Sequence, residues 1–216
     1  MTGIIAQNVG RTSGLIKAAS GGSGGVWTKI KEITASADST IDFIDGTDDV
    51  VLDSTYPIYV FKFINMHPEN NTSQLYMDRS VDGGSNFEAT PTTNTCFRAF
   101  HSEGGNAGIL SYYTSADRAD SNSAVYLSVE SSGENDHAVS GTFTLFNPSS
   151  TTFVKHYIMI SNSVWNNDND DDDDNTMNFY VSGYFDTTSA MDGIRFRFNT
   201  GNIDVGTIKL YGIKDS

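Results

Sequence analysis

The segment Ile194-Arg195-Phe196-Arg197-Phe198-Asn199 alternates strictly between apolar and polar side chains. A period of two puts Ile194, Phe196 and Phe198 on one face of a β-strand and Arg195, Arg197 and Asn199 on the other. Such a strand has one face to bury, so it requires neighbouring strands and a second layer to close over it. Comparable runs occupy residues 40–44, 56–66, 74–81, 124–130, 141–146, 153–161, 177–185 and 207–213, many rich in the Tyr, Phe, Val, Ile and Thr that suit a pleated surface. Asp82-Gly83-Gly84-Ser85-Asn86, Asn147-Pro148-Ser149-Ser150 and Gly201-Asn202 punctuate them as turns, the first as a hairpin loop leading to Phe87. No helical pattern exceeds a turn or two, and residues 115–122 read as a loop or a short helical crossing. Ten to twelve strands with antiparallel-style turns predict an all-β fold, a two-sheet antiparallel β-sandwich and most simply a jelly roll. No blade or solenoid repeat competes with it.

The core of such a chain must come from aromatics. Ser, Thr, Asn and Gly dominate, but 13 Phe, 10 Tyr and 2 Trp supply large buried areas per residue. Ser20-Gly21-Gly22-Ser23-Gly24-Gly25 is a flexible linker that divides the chain into residues 1–25, an extended N-terminal arm, and residues 26–216, the sandwich domain. Two apolar pairs in the arm, Ile4-Ile5 and Leu15-Ile16, cannot form a core alone and read either as docking contacts on a tether or as a frayed terminus that only partly orders.

Charge narrows the function. Thirteen basic residues against 27 acidic ones leave −14, so binding of nucleic acid or of anionic lipid through a basic face is excluded as an expectation. No stretch approaches the 18 apolar residues of a membrane span, and residues 1–20 lack the apolar core of a secretory signal, which predicts synthesis and folding in a cytoplasm. Cys96 is the single cysteine, so no internal disulfide forms, and Thr95-Cys96-Phe97 reads as a small buried residue within a strand.

Catalytic motifs are weak. Gly21 to Gly25 around Ser23 spells G-x-S-x-G, but a nucleophile elbow needs a strand before it and a helix after it, and here glycine surrounds it. His67, His101, His137 and His156 form no metal-binding pair, and Cys96 has no C-x-x-C partner. His101-Ser102-Glu103 cannot be a triad within one strand, because neighbours point to opposite faces. The chain is therefore read as a non-enzyme without a cofactor. The six aspartates between Asp168 and Asp174 repel one another and predict an exposed, solvated loop. Asp168, Asp170 and Asp172 have the oxygen chemistry for weak Ca²⁺ or Mg²⁺ binding, although Asp173 stands where an EF-hand needs glycine. Tyr112, Tyr113 and Trp165, near predicted loops, are the candidate sugar-stacking residues.

Several stretches in order carry a resemblance. They are Gly3-Ile4-Ile5-Ala6-Gln7-Asn8, Ser13-Gly14-Leu15-Ile16-Lys17-Ala18, Trp27, and Asp53-Ser54-Thr55-Tyr56 with Tyr59 and Phe61. Pro68 and Asp82-Gly83-Gly84-Ser85-Asn86-Phe87 follow, then Leu145-Phe146-Asn147-Pro148-Ser149-Ser150-Thr151-Thr152. Ser189-Ala190, Ile194-Arg195-Phe196 and Gly201-Asn202-Ile203-Asp204-Val205-Gly206-Thr207-Ile208-Lys209-Leu210-Tyr211-Gly212 close the series. Together they resemble a domain of structural and tail-associated virion proteins of tailed bacteriophages, marine phages among them. The resemblance implies a jelly-roll-like sandwich in a virion assembled in the host cytoplasm, with other virion proteins as partners of the arm. It implies a capsid decoration or tail and fibre component, expected as a homo-oligomer and most simply a trimer. The alternative is a receptor-binding fibre tip that recognises a host surface glycan, through loops such as 104–119 and 165–175. The family supplies no catalytic residues.

Overall fold

The computed structural model describes residues 26–88, 90–166 and 174–214. The chain is all-β, with two antiparallel sheets and a single 3₁₀ turn at Thr114–Ala116 among the described residues. The strands are β1 (Val26–Asp38), β2 (Ile41–Ile44), β3 (Ile58–Pro68), β4 (Leu75–Ser80), β5 (Thr92–Ser102), β6 (Gly108–Tyr112) and β7 (Arg118–Ser121). They continue with β8 (Val125–Tyr126), β9 (Val139–Phe146), β10 (Lys155–Trp165), β11 (Asn175–Phe185), β12 (Gly193–Phe198) and β13 (Ile203–Lys214). The larger sheet has nine strands in the order β1-β13-β3-β9-β10-β11-β5-β6, with β7 also paired to β5. The smaller has the order β2-β12-β4-β8.

The alternation in β12 is what joins the sheets. Ile194, Phe196 and Phe198 are buried, while Arg195 and Arg197 reach the surface. Phe196 and Phe43 of the small sheet meet Phe61, Phe63 and Phe143 of the large one. The ring centroids of Phe196 lie 4.9 Å from Phe63 and 5.3 Å from Phe61, edge to face in both cases. Aromatics thus fill the gap between layers that smaller side chains would leave open.

Two devices bend the large sheet. Gly206 has φ +139°, a conformation that L side chains rarely adopt, and a Cβ there would come within 2.8 Å of the Asn65 carbonyl oxygen. Asn65 itself has φ +50° at the bulge of β3, so irregularities of β3 and β13 face each other and twist the pair locally. At the edge, β1 carries a register shift between Lys29 and Lys31, and both a bulge and charges discourage pairing with a further strand.

Several expectations change. The strands number 13 among the described residues rather than ten to twelve, because residues 104–119, expected as a loop, contain β6 and the start of β7. Residues 124–130 were expected to form a full strand, but only Val125 and Tyr126 pair as one. Serines end it: the Ser128 hydroxyl accepts the Leu75 N–H and bonds Ser131, and Glu130 takes φ +53°. Asp82–Asn86 turns through Gly83 and Gly84, at φ +70° and +79°, as expected. It does not join two paired strands, however: Arg79 N–H bonds the Phe87 carbonyl, and the Phe87 ring folds under Arg195, 4.0 Å from its guanidinium carbon.

Candidate functional site

The broadest feature is the outer face of the nine-stranded sheet. Its register places side chains in a row across eight strands. Glu32, Lys209 and Lys62 pair successively across β1, β13 and β3. Thr142 and Ile160 continue on β9 and β10. Tyr180, Phe97 and Tyr112 finish it on β11, β5 and β6. At 4.7–4.9 Å per strand this row is about 33 Å long. Lys62 donates to the Thr142 hydroxyl at 2.8 Å and sits 5.7 Å from the Trp27 ring, while Glu32 pairs with Lys29 and Lys209. A shallow hollow of about 560 Å³ crosses the middle of the face, floored by Gly141 and rimmed by Ile64, Ile160 and Tyr211.

This face combines apolar and cationic groups in an acidic molecule. Ile64, Phe97, Ile160 and Trp27 are between two-fifths and half exposed, and Leu110 is 72% exposed. Phe97 and Tyr180 stack with centroids 4.9 Å apart and planes 18° from parallel. A stacked pair of this kind on a strand face leaves one broad ring surface for a partner.

The candidate sugar-stacking residues separate. Tyr112 ends the row on β6 and is 56% exposed. Tyr113, next in sequence, turns inward, with the Arg98 guanidinium 4.4 Å from its ring and its edge against Phe179. Trp165 is the last residue of β10 and packs edge to face on Phe100, partly buried, with its indole N–H buried and unpartnered among the described residues. These three do not form one surface. Ile4, Ile5, Leu15 and Ile16 of the arm lie outside the described residues, as do Asp168, Asp170 and Asp172.

Asp174, the end of the acidic run, is anchored rather than solvated. Its Oδ2 accepts from Nε2 of buried His137 at 2.9 Å, and its carbonyl accepts the Glu103 N–H at 2.8 Å. Nearby, Asn166 donates to Glu134, and His67 Nε2 meets the Glu134 carbonyl at 2.9 Å. The sequence expectation of a wholly solvated run missed this root, because the partners lie 37 residues apart. Among the described residues, no three His, Cys, Asp or Glu side chains come together as a metal-binding group.

Buried nucleophiles are shielded. Cys96 is fully buried, as its sequence context predicts; its thiol donates to the Tyr113 carbonyl at 3.0 Å and lies 3.4 Å from Asp117 Oδ1. Burial first, and the Asp117 carboxylate second, push this thiol up to about 12. Because thiolate is the reactive form, labelling with a thiol-specific alkylating agent at pH 8 is expected only after unfolding; rapid labelling of folded protein contradicts the packing. The same shift fixes the sign of a pH effect. A thiol raised in the folded state adds stability below its ordinary pKa, and that stability is lost as pH rises from about 9 through 12. Burial raises Tyr59, Tyr76, Tyr113 and Tyr157 in the same direction, so alkaline unfolding monitored by circular dichroism is expected above about pH 10. Lys155 is buried too, with its ammonium donating to the carbonyls of Phe153 and Thr187, and burial lowers its pKa.

Comparison with protein-family models, with curated proteins and with solved structures finds no match to this chain.

Proposed function

We propose that this protein is a non-enzymatic structural component of a tailed-phage particle, a jelly-roll β-sandwich displayed on the surface and attached through residues 1–25. Eight strands form two four-stranded sets, β1-β13-β3-β9 within the large sheet and β2-β12-β4-β8 as the small one, and the chain passes repeatedly between them, as expected of a jelly roll. In this reading the β10–β11 hairpin and β5, β6 and β7 extend the large sheet beyond β9.

The observation that carries an assembly role is the outer face of the large sheet. A broad surface about 33 Å across, bearing exposed Trp27, Ile64, Ile160 and Phe97, is better suited to a protein interface than to a small ligand. Lys29, Lys62 and Lys209 lie on it in a chain of net charge −14, so another copy's acidic surface is its complementary partner. Contact between two different patches is heterologous, and with a rotation that closes it forms a ring, of which a trimer is the simplest in this reading.

Two measurements test this reading. Sedimentation of the full chain at tens of micromolar is expected to give an oligomer that weakens as salt rises, and the double variant Ile160→Asp, Lys62→Glu is expected to be monomeric with an unchanged far-ultraviolet spectrum. A monomeric unmodified chain removes the interface. Electron cryomicroscopy of particles assembled with this chain is expected to place its density on the capsid lattice or the tail, and deletion of residues 1–25 to abolish that density without lowering the melting temperature. A melting temperature many degrees lower would make the arm part of the fold and end its docking role.

A second reading, recognition of a host glycan, is favoured by a different surface, the outer face of the small sheet.

A further inference from the structure

The outward side chains of the small sheet form two arginine–aromatic layers. Arg195 is held by a bidentate pair: its Nε and Nη2 bond Asp42 at 2.8 and 2.7 Å, and Phe87 covers its plane. Arg197, two residues on, is engaged on one edge only. Its Nε donates to Asp78 at 2.7 Å and its guanidinium lies 5.3 Å from the Tyr76 ring, but neither Nη has a partner among the described residues. Arg118 reaches the same place from β7. Its Nε and Nη1 are tied to the carbonyls of Ala124 and Asp117, its plane lies 4.9 Å from the Tyr126 ring, and its Nη2 is likewise unpaired among those residues. Tyr76 and Tyr126 pair across β4 and β8 with ring centroids 4.7 Å apart, which fixes the spacing of the two cations above them.

These guanidiniums face adjoining hollows of about 440 and 360 Å³, which share Arg197 and Glu88 in their walls. The acceptors are equally distinctive. Glu88 is exposed and forms no ion pair with either arginine. Asp78, 2% exposed, lines the smaller hollow with a buried Oδ1 that has no hydrogen-bond donor among the described residues. Asn122 and Ser123 supply further polar groups on the rim of the larger hollow. The cleft therefore offers pre-positioned donors for one anionic group next to acceptors that require hydroxyl or amide hydrogens.

We propose that this cleft binds a carboxylated sugar, a uronic acid unit of a polysaccharide, with its carboxylate on the free edges of Arg118 and Arg197 and its hydroxyls on Glu88, Asn122 and Ser123. Guanidinium forks match a carboxylate in plane, and anchoring each one on a tyrosine ring limits the rotamer entropy lost on binding. A phosphate carries about −1.5 to −2 charge at neutral pH beside Glu88 and Asp78 and lacks the ring hydroxyls that Asn122 and Ser123 would meet. A neutral sugar would leave both guanidinium edges facing only water. The proposal does not rest on the assembly reading, since none of the cleft residues belongs to the row across the outer face of the large sheet.

The test is calorimetric titration of the full chain with tetragalacturonate, with its methyl ester and with inorganic phosphate. Saturable binding of tetragalacturonate is expected, at least tenfold tighter than the methyl ester and weakening with salt. Arg197→Met is expected to lose it. Because Arg197 also pairs with Asp78, a variant on the exposed rim, Asn122→Asp, provides the control: it keeps the melting temperature, places a carboxylate opposite the ligand's, and is expected to weaken binding at least tenfold. No binding at millimolar ligand, equal binding of the ester, unchanged binding by Asn122→Asp, or a preference for phosphate each overturns the proposal. None of these results bears on the oligomer, and a monomeric chain that binds the uronate leaves the cleft standing.

Discussion

Replacing Phe196 with alanine is expected to destabilise the fold by about 4 kcal/mol, the middle of the range for removing a buried phenylalanine. In a domain of this size that corresponds to a melting temperature lower by roughly 8 to 16 °C. The cost is large here because the ring is shared. Its centroid lies within 6.4 Å of Phe43, Phe61, Phe63 and Phe143, so one truncation opens contacts to both sheets at once. The neighbouring rings are themselves fixed in strands and cannot collapse into the space. Phe196→Leu fills most of the volume and is expected to cost less than half as much. Equal losses for the two variants in thermal unfolding would mean that edge-to-face ring geometry, rather than volume, holds the layers. No loss for alanine would mean that the layers do not depend on this contact.

The second large effect is expected at Arg79, a fully buried cation of β4 with no carboxylate partner among the described residues. Its guanidinium donates to the carbonyls of Ser123 at 2.9 Å, Ser121 at 3.1 Å and Thr90, and it lies 5.5 Å from the Phe185 ring. Burial lowers its pKa, which records the desolvation of the charge. Two terms therefore oppose each other in Arg79→Met. Removing the charge relieves desolvation, but three carbonyls lose a donor, at about 1–2 kcal/mol each where buried. The carbonyl losses win, because this one side chain ties β4 to residue 90 and to residues 121–123 at a fully buried point, and a net loss of about 3 kcal/mol is expected. Arg79→Lys keeps the charge but not the planar fork, and is expected to fare no better. Denaturant unfolding decides it: a methionine variant as stable as the parent would show that desolvation outweighs the three hydrogen bonds.

Legibility from sequence followed the range of the interactions. The strand of residues 194–199 was readable because its pattern is local: each inward residue is two positions from the next, and burial of Ile194, Phe196 and Phe198 matches the alternation. The burial of Cys96 was readable for the same reason, from its place between Thr95 and Phe97. The segment of residues 124–130 misled because its apolar residues suit a strand, while the competing interactions come from serine hydroxyls that reach Leu75, 53 residues away. Strand β6 escaped because Gly104 and Gly105 suggest a loop, and its pairing energy comes wholly from β5.

For the candidate sites the same division holds. Tyr112, Tyr113 and Trp165 were plausible together only while their strand faces were unknown; adjacent residues of an extended chain point apart, and the tertiary fold buries part of two of them. The arginine cleft gave no local signal at all, because Tyr76, Arg118 and Arg197 lie on three strands separated by tens of residues.

Taken alone, the sequence determined the all-β class, the aromatic core and the acidic net charge, since each follows from composition or from a period of two. Only the tertiary structure decided which strands share a sheet, that Lys29, Lys62 and Lys209 gather on one face, that Asp174 meets His137, and that two guanidinium edges remain free beside Glu88. Those outcomes depend on register between distant segments, and register is set by the simultaneous burial of every inward side chain, which no local window contains.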